Sequence, residues 1–358
     1  MNKTFIIAEA GVNHNGSLEI AKKLVDVAKM AGADAVKFQT FKTENLVTKT
    51  AQQANYQIEN LGEATSQFEM LKQLELSFDE FVQLQEYCTT QNIEFLSTPF
   101  DFESVDFLFD DLKISIAKIP SGELTNLPLI HYIATKQKPI ILSTGMATID
   151  EIHEALAFIA FGFANPKDFV SLERVNEFYT TQEAKNILKT YVTILHCTTE
   201  YPAPFETINL KAMEQMEKEF ELPVGLSDHS KGISVPIAAT ALGARVIEKH
   251  FTLDRTMEGP DHLASLEPDE LKEMVKSIRE VELALGTGKK EPSFIELENR
   301  KAARKSLVAK KSIKAGEVFN KGNLTIKRPG SGIPSKYYWS YIGKVSKKSY
   351  EKDDLIDE

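Results

Sequence analysis

Two stretches, "PVGLSDHS" (Pro223–Ser230) and "RVIEKHFT" (Arg245–Thr252), decide how this chain is read. Each opens as an apolar run and reaches a histidine with a carboxylate residue close by. The pattern has six precedents upstream: "FIIAEAG" (Phe5–Gly11), "AVKFQTF" (Ala35–Phe41), "IEFLSTPF" (Ile93–Phe100), "IAKIPSGE" (Ile116–Glu123), "PIILSTGM" (Pro139–Met146) and "VTILHCTTEY" (Val192–Tyr201). Near-continuous apolar runs of this length belong to strands buried on both faces, as in a parallel sheet covered by helices.

The helices are legible between the runs. "SLEIAKKLVDVAKMAGA" (Ser17–Ala33) has a serine cap, apolar positions at helical spacing and Gly32 as a stop. Ser77–Gln91, Thr148–Ala160 and Pro268–Gly286 have the same character. Eight strand–helix units within residues 1–284 indicate an α/β fold of the (β/α)₈ TIM-barrel type. A doubly wound open sheet is the alternative. No G-x-G-x-x-G follows the first run, which argues against a dinucleotide fold.

In such a barrel the chemistry lies at the C-terminal ends of the strands. Those ends carry Glu9, Lys37, Gln39, Thr98, Lys118 and Ser121 in the first half. Glu123, Ser143, Thr199, Tyr201, His229 and His250 follow in the second. Both histidines of the opening stretches therefore converge on one mouth.

"LGTGKKEPS" (Leu285–Ser293) reads as the start of a linker, 285–299, before a small, mostly β domain at 300–358. The formal net charge is −10, which argues against general nucleic-acid binding. It is uneven: residues 301–358 carry 14 Lys/Arg and 6 Asp/Glu, so the rest of the chain holds the acidic excess. Two complementary surfaces are expected from that asymmetry. The two cysteines, Cys88 and Cys197, suit a reducing cytoplasm. The N-terminal apolar run is too short for a signal peptide, and no run approaches the roughly 20 residues of a membrane span.

Ten strings occur in one order: "EAGVNHNGS", "VKFQTF", "STPFD", "KIPSGE", "STGMAT", "LHCTTEYPAPF", "GLSDHS", "IEKHFTLD", "GPDH" and "KRPGSGI". Together they resemble the bacterial sialic acid synthase family, with makers of N-acetylneuraminate and of N,N'-diacetyllegionaminate nearest, and the likeness spans essentially the whole chain. The resemblance implies a (β/α)₈ barrel followed by an antifreeze-like (SAF, β-clip) domain. It implies condensation of phosphoenolpyruvate with an N-acylated mannosamine-type sugar and water, giving a nine-carbon 2-keto-3-deoxy acid and phosphate. N-acetylmannosamine is the first expectation for the sugar, and 2,4-diacetamido-2,4,6-trideoxymannose is the alternative. The segment "TTEYPAPF" and the loop Thr43–Ser66 are expected to choose between them.

The resemblance also suggests roles. His229 and His250 would hold Mn²⁺ or Mg²⁺, with Asp228 at most supporting a ligand. Read singly, each histidine is a satisfied core residue; two at matching depth point to a metal pair. Lys37, Thr98, Lys118 and Ser121 would meet phosphoenolpyruvate, and Gln39 and Ser227 are further substrate-binding candidates. The bland reading of the lysines is that their stems line a barrel rim. Glu9 would handle protons, and Glu123 is a second candidate. Salt bridges to the same lysines are the competing reading. Thr199, Tyr201 and Asp261 would face the sugar, while His262 reads equally as a loop residue. Arg328 would reach the partner's site across a homodimer with a swapped SAF domain; by itself it is a turn arginine. Two other functions remain: a Schiff-base pyruvate aldolase using Lys118 or Lys37, and a noncatalytic sugar-binding protein.

Overall fold

The structure is a computed structural model, and it describes residues 3–54, 57–58 and 66–358. Much of the expected selectivity loop, at 55–56 and 59–65, lies outside the described residues. The chain divides into two compact units, Met1–Gly286 and Thr287–Glu358.

The first unit is built on β1 (Phe5–Gly11), β2 (Ala35–Thr40), β3 (Glu94–Pro99), β4 (Ala117–Ile119), β5 (Ile140–Ser143), β6 (Val192–Cys197), β7 (Val224–Asp228) and β8 (Val246–His250). All are parallel, in the order β3-β2-β1-β8-β7-β6-β5-β4. β3 and β4, at the two ends of that order, lie against each other and bring the sheet round on itself. The (β/α)₈ expectation is met, each expected run containing one strand.

Local signals set the helices. Ser17 caps Leu18–Ala31, and Gly32 ends it with φ of 83°, a left-handed conformation glycine adopts without strain. Thr148 and Glu151 form a reciprocal capping box at the start of Ile149–Ala164.

Strand alternation divides the apolar side chains. Ile6, Ala8, Val36 and Phe38 point outward into the large core shared with the helices. Ile7, Ala35, Leu96, Ile141, Leu195 and Val246 point inward and fill the barrel.

The second unit pairs β9 (Ser306–Ala309) with β10 (Leu324–Lys327) antiparallel. Its own small core includes Leu307, Ile313, Phe319, Leu324 and Ile356. The expected 285–299 linker is not wholly irregular. A helix, Phe294–Ala303, crosses its end, started by a capping box between Ser293 and Glu296.

Candidate active site

One step further along the inward-facing rows, the side chains change from apolar to ionisable. Register brings three of them side by side: Glu9 is opposite His250 on one flank and Lys37 on the other. On the far side Cys197 is opposite Ser227, and Ser227 is opposite Glu248. These residues border a cavity of about 420 Å³.

Of the expected site residues, Glu9, Lys37, Gln39, Lys118 and Ser121 line the cavity. Thr199, Tyr201, Ser227, His229, His250 and Asp261 line it too. Thr98 lies behind this wall, where its hydroxyl accepts a hydrogen bond from Lys37 Nζ at 3.1 Å. Glu123 is not among the lining residues. The strand ends at Ile119, and a turn after Pro120 takes Glu123 toward Asn126, whose Nδ2 donates to it at 2.7 Å. Burial pushes the Glu123 carboxyl up. Arg328 belongs to the second unit, where its Nε donates to the Ala303 carbonyl. His262 is buried beneath the loop after β8, and its Nδ1 shares a hydrogen bond with Thr252 Oγ1.

The network has a member that sequence reading passed over. Glu248 is buried between both lysines, 3.5 Å from Lys37 Nζ and 3.5 Å from Lys118 Nζ, and accepts from Ser227 Oγ at 2.9 Å. Lys37 pairs more closely with Glu9, at 2.7 Å, and Lys118 donates to Ser143 Oγ at 2.8 Å. Burial opposes ionisation of Glu248, but Lys118 and Lys37 outweigh it and hold the carboxyl at about 2. For Glu9 the balance reverses. Burial, reinforced by the Glu248 charge, pushes it up to about 7 against the pull of Lys37. The two carboxyls of this network are thus shifted in opposite directions by their surroundings. Burial also pushes Asp261 up to about 6.

Glycines permit the close approaches. Gly11 has φ of 54°, and a Cβ there would lie 3.2 Å from His250 Cε1. A Cβ on Gly145 would lie 2.2 Å from Thr199 Oγ1 and 2.8 Å from Ser121 Oγ.

The two imidazoles stand with centroids 5.5 Å apart, and Tyr201 packs 4.1 Å from the His229 ring. His229 Nδ1 bonds the Thr198 carbonyl at 2.7 Å, which leaves Nε2 as its other ring nitrogen. His250 Nδ1 is buried with no hydrogen-bond partner among the described residues. An unsatisfied buried polar atom costs about 1–3 kcal/mol, and a ligand bound there would relieve it. Among the described residues, no group of three or more His, Cys, Asp or Glu forms a metal cage. Two imidazoles side by side would suit an ion that draws its remaining ligands from water or substrate.

A barrel whose mouth combines paired lysines, a neutralisable carboxyl and two histidines is equipped for addition of an anionic substrate to a carbonyl. Comparison with known proteins assigns the class: an enzyme that forms a carbon–carbon bond using phosphoenolpyruvate. The chain belongs to the NeuB family, whose model matches residues 24–290, and a SAF domain model matches residues 304–358.

It is 50% identical to the N,N'-diacetyllegionaminic acid synthase of Campylobacter jejuni over 100% of both chains. It is 46% identical to the enzyme of that name from Legionella pneumophila, over 95% of this chain and 89% of that one. The solved N-acetylneuraminic acid (sialic acid) synthetase of Leptospira borgpetersenii, in complex with citrate, matches with a TM-score of 0.66 and 34% identity. That match covers 83% of this chain and 90% of that one. The aldolase and sugar-binding alternatives give way to this assignment.

Proposed function

We propose that the enzyme makes N,N'-diacetyllegionaminate from phosphoenolpyruvate, 2,4-diacetamido-2,4,6-trideoxymannose and water, releasing phosphate. The observation that carries this choice is 50% identity, along the full length of both chains, to a relative named for that product. N-acetylmannosamine, the first expectation from sequence, is the runner-up, favoured by the 34% identical sialic acid synthetase.

In this reading Lys37 and Lys118 receive the carboxylate and phosphate of phosphoenolpyruvate, assisted by Ser121, with Thr98 steadying Lys37. Carbon 3 of phosphoenolpyruvate bonds to the aldehyde carbon of the open-chain sugar. Glu9, poised near neutrality, delivers the proton that turns the aldehyde oxygen into a hydroxyl. Water then bonds to carbon 2, and the bond from carbon 2 to the bridging oxygen breaks, so that oxygen leaves with phosphate. Gln39, Thr199, Tyr201 and Asp261 hold the sugar. The Thr199 hydroxyl is buried with no hydrogen-bond partner among the described residues and suits a substrate hydroxyl or amide. His229 and His250 hold Mn²⁺ or Mg²⁺, which supplies Lewis-acid polarisation of a carbonyl oxygen when bound. Glu123, turned toward Asn126, has at most a supporting part.

The assembly we propose is a homodimer in which Arg328 of the SAF domain serves the partner's site. Its support is the "KRPGSGI" likeness and the basic charge of residues 301–358 in an otherwise acidic chain. Among the described residues no helix is long and apolar enough to cross a membrane. The cytoplasm is the proposed location, in keeping with two free cysteines.

The test is steady-state kinetics on both sugars with phosphoenolpyruvate saturating. The expected result is a kcat/KM at least about tenfold higher for the diacetamido sugar, a difference of about 1.4 kcal/mol. A preference for N-acetylmannosamine would reassign the product to N-acetylneuraminate.

A further inference from the structure

Behind the two histidines, on the other face of the same strands, lies a second ion pair. Successive strand residues point to opposite faces. With His250 inside the barrel, Lys249 is directed toward the helical layer, and Asp228 takes the matching place beside His229. Both side chains are fully buried, with Nζ 2.6 Å from Oδ2. The helix Ser234–Ala241 packs over both strands.

The bonds of this pair converge on the residues flanking His229. Lys249 Nζ donates to Asp228 Oδ2 and also to the Ser230 carbonyl. The Asp228 carboxylate accepts from Ser230 N and Ser230 Oγ, each at 3.0 Å. The neighbours of His229 on both sides are therefore tied to the neighbour of His250. The tie extends to the loop bearing Tyr201, because Ala203 N donates to the His229 carbonyl at 2.9 Å. Stability alone gives poor reason for such a pair, since replacing a buried ion pair by apolar groups of similar volume is often neutral or stabilising. Holding two strand ends in one geometry is a better reason.

We propose that Asp228 and Lys249 are positioning residues, a buried clamp that fixes the spacing and aim of His229 and His250 for a divalent ion. The inference rests on the reading of those histidines as metal ligands. Removing a group that orients a metal ligand typically weakens binding about 10- to 100-fold.

The test uses the full chain, substrate-free, with Mn²⁺ alone titrated and free Mn²⁺ read by electron paramagnetic resonance. Lys249→Met leaves Asp228 buried and unpaired, and it risks misfolding. The neutral double variant Asp228→Asn/Lys249→Met avoids that risk. In the double variant, melting is expected within a few degrees of the parent, with Mn²⁺ affinity about 10- to 100-fold weaker. Raising Mn²⁺ should restore kcat, with the KM for phosphoenolpyruvate unchanged. Ring-¹⁵N signals of His229 and His250 in the metal-free protein should shift or broaden.

An Mn²⁺ affinity within twofold of the parent, with unchanged ring signals, overturns the clamp. His229→Ala separates this failure from that of the underlying reading. If the parent and His229→Ala take up Mn²⁺ equally, the metal assignment falls. The clamp is then judged by the ring signals alone, and unchanged signals overturn it.

Discussion

At the lower end of the barrel interior, Ile7, Ala35, Leu96, Ile141, Leu195 and Val246 face one another. Two residues on, the same strands present Glu9, Lys37, Thr98, Ser143, Cys197 and Glu248. The backbone is continuous and every side chain is buried, so exposure does not distinguish the layers. The difference is in obligation. An apolar layer needs only volume to be filled, whereas each buried polar group needs a partner. The lower layer is complete in itself. One step above the upper layer, Thr199 Oγ1 and His250 Nδ1 have no hydrogen-bond partner among the described residues, and a bound ligand would supply one.

The sharpest way to break the comparison is His250→Ala. It removes one of only two proposed protein ligands and with it a Lewis-acid effect of several kcal/mol. A loss of about 10⁴-fold in kcat is expected, roughly 5.4 kcal/mol of transition-state stabilisation. Melting temperature should fall only modestly, because the ring borders the cavity and its Nδ1 has no hydrogen-bond partner among the described residues. Activity within tenfold of the parent would mean that the upper layer does not depend on its histidines.

Glu248→Gln comes next and probes charge balance rather than ligation. The glutamine oxygen can keep the Ser227 bond, but Lys37 and Lys118 lose the carboxylate they share. Leaving buried charge uncompensated costs about 3–5 kcal/mol. Thermal denaturation should show that loss, and millimolar phosphoenolpyruvate or phosphate should recover much of it by supplying negative charge. A loss that no anion repairs would mean that the lysines are structural and not a receptor for phosphoenolpyruvate.

Much of this was legible in the sequence because parallel barrel strands announce themselves twice. Apolar continuity gives the strand, and the first polar residues give its functional end. Glu248 was missed although the same logic reaches it: stepping back two residues from His250 along the strand lands on it. Glu123 was drawn into the ring because "KIPSGE" reads as one extended run, whereas the strand stops at Ile119. Pro120, with no N–H for a ladder, stands at that boundary. The helix Phe294–Ala303 was hidden by the Gly, Pro and Lys residues before it, although "SFIE" (Ser293–Glu296) carries the capping-box spacing. The Asp228–Lys249 pair had no sequence signature, since nothing in two separate strings states that their outward neighbours meet.

Leu96→Ala is the smallest of the three expected effects, and it tests the lower layer. Leu96 is fully buried in the inner apolar cluster, opposite Lys37 in the strand register and two residues before Thr98. Truncation removes transfer energy and leaves a cavity, about 3 kcal/mol in a well-packed core. Thr98 keeps its backbone pairing with Gln39, and its hydroxyl still accepts from Lys37. Stability should therefore fall while kcat/KM, measured well below the new melting temperature, stays within about threefold, under 0.7 kcal/mol. A larger loss of activity would show that the apolar layer sets the height of the lysine ammonium above it. The two layers would then be one mechanical unit, the lower supporting the upper.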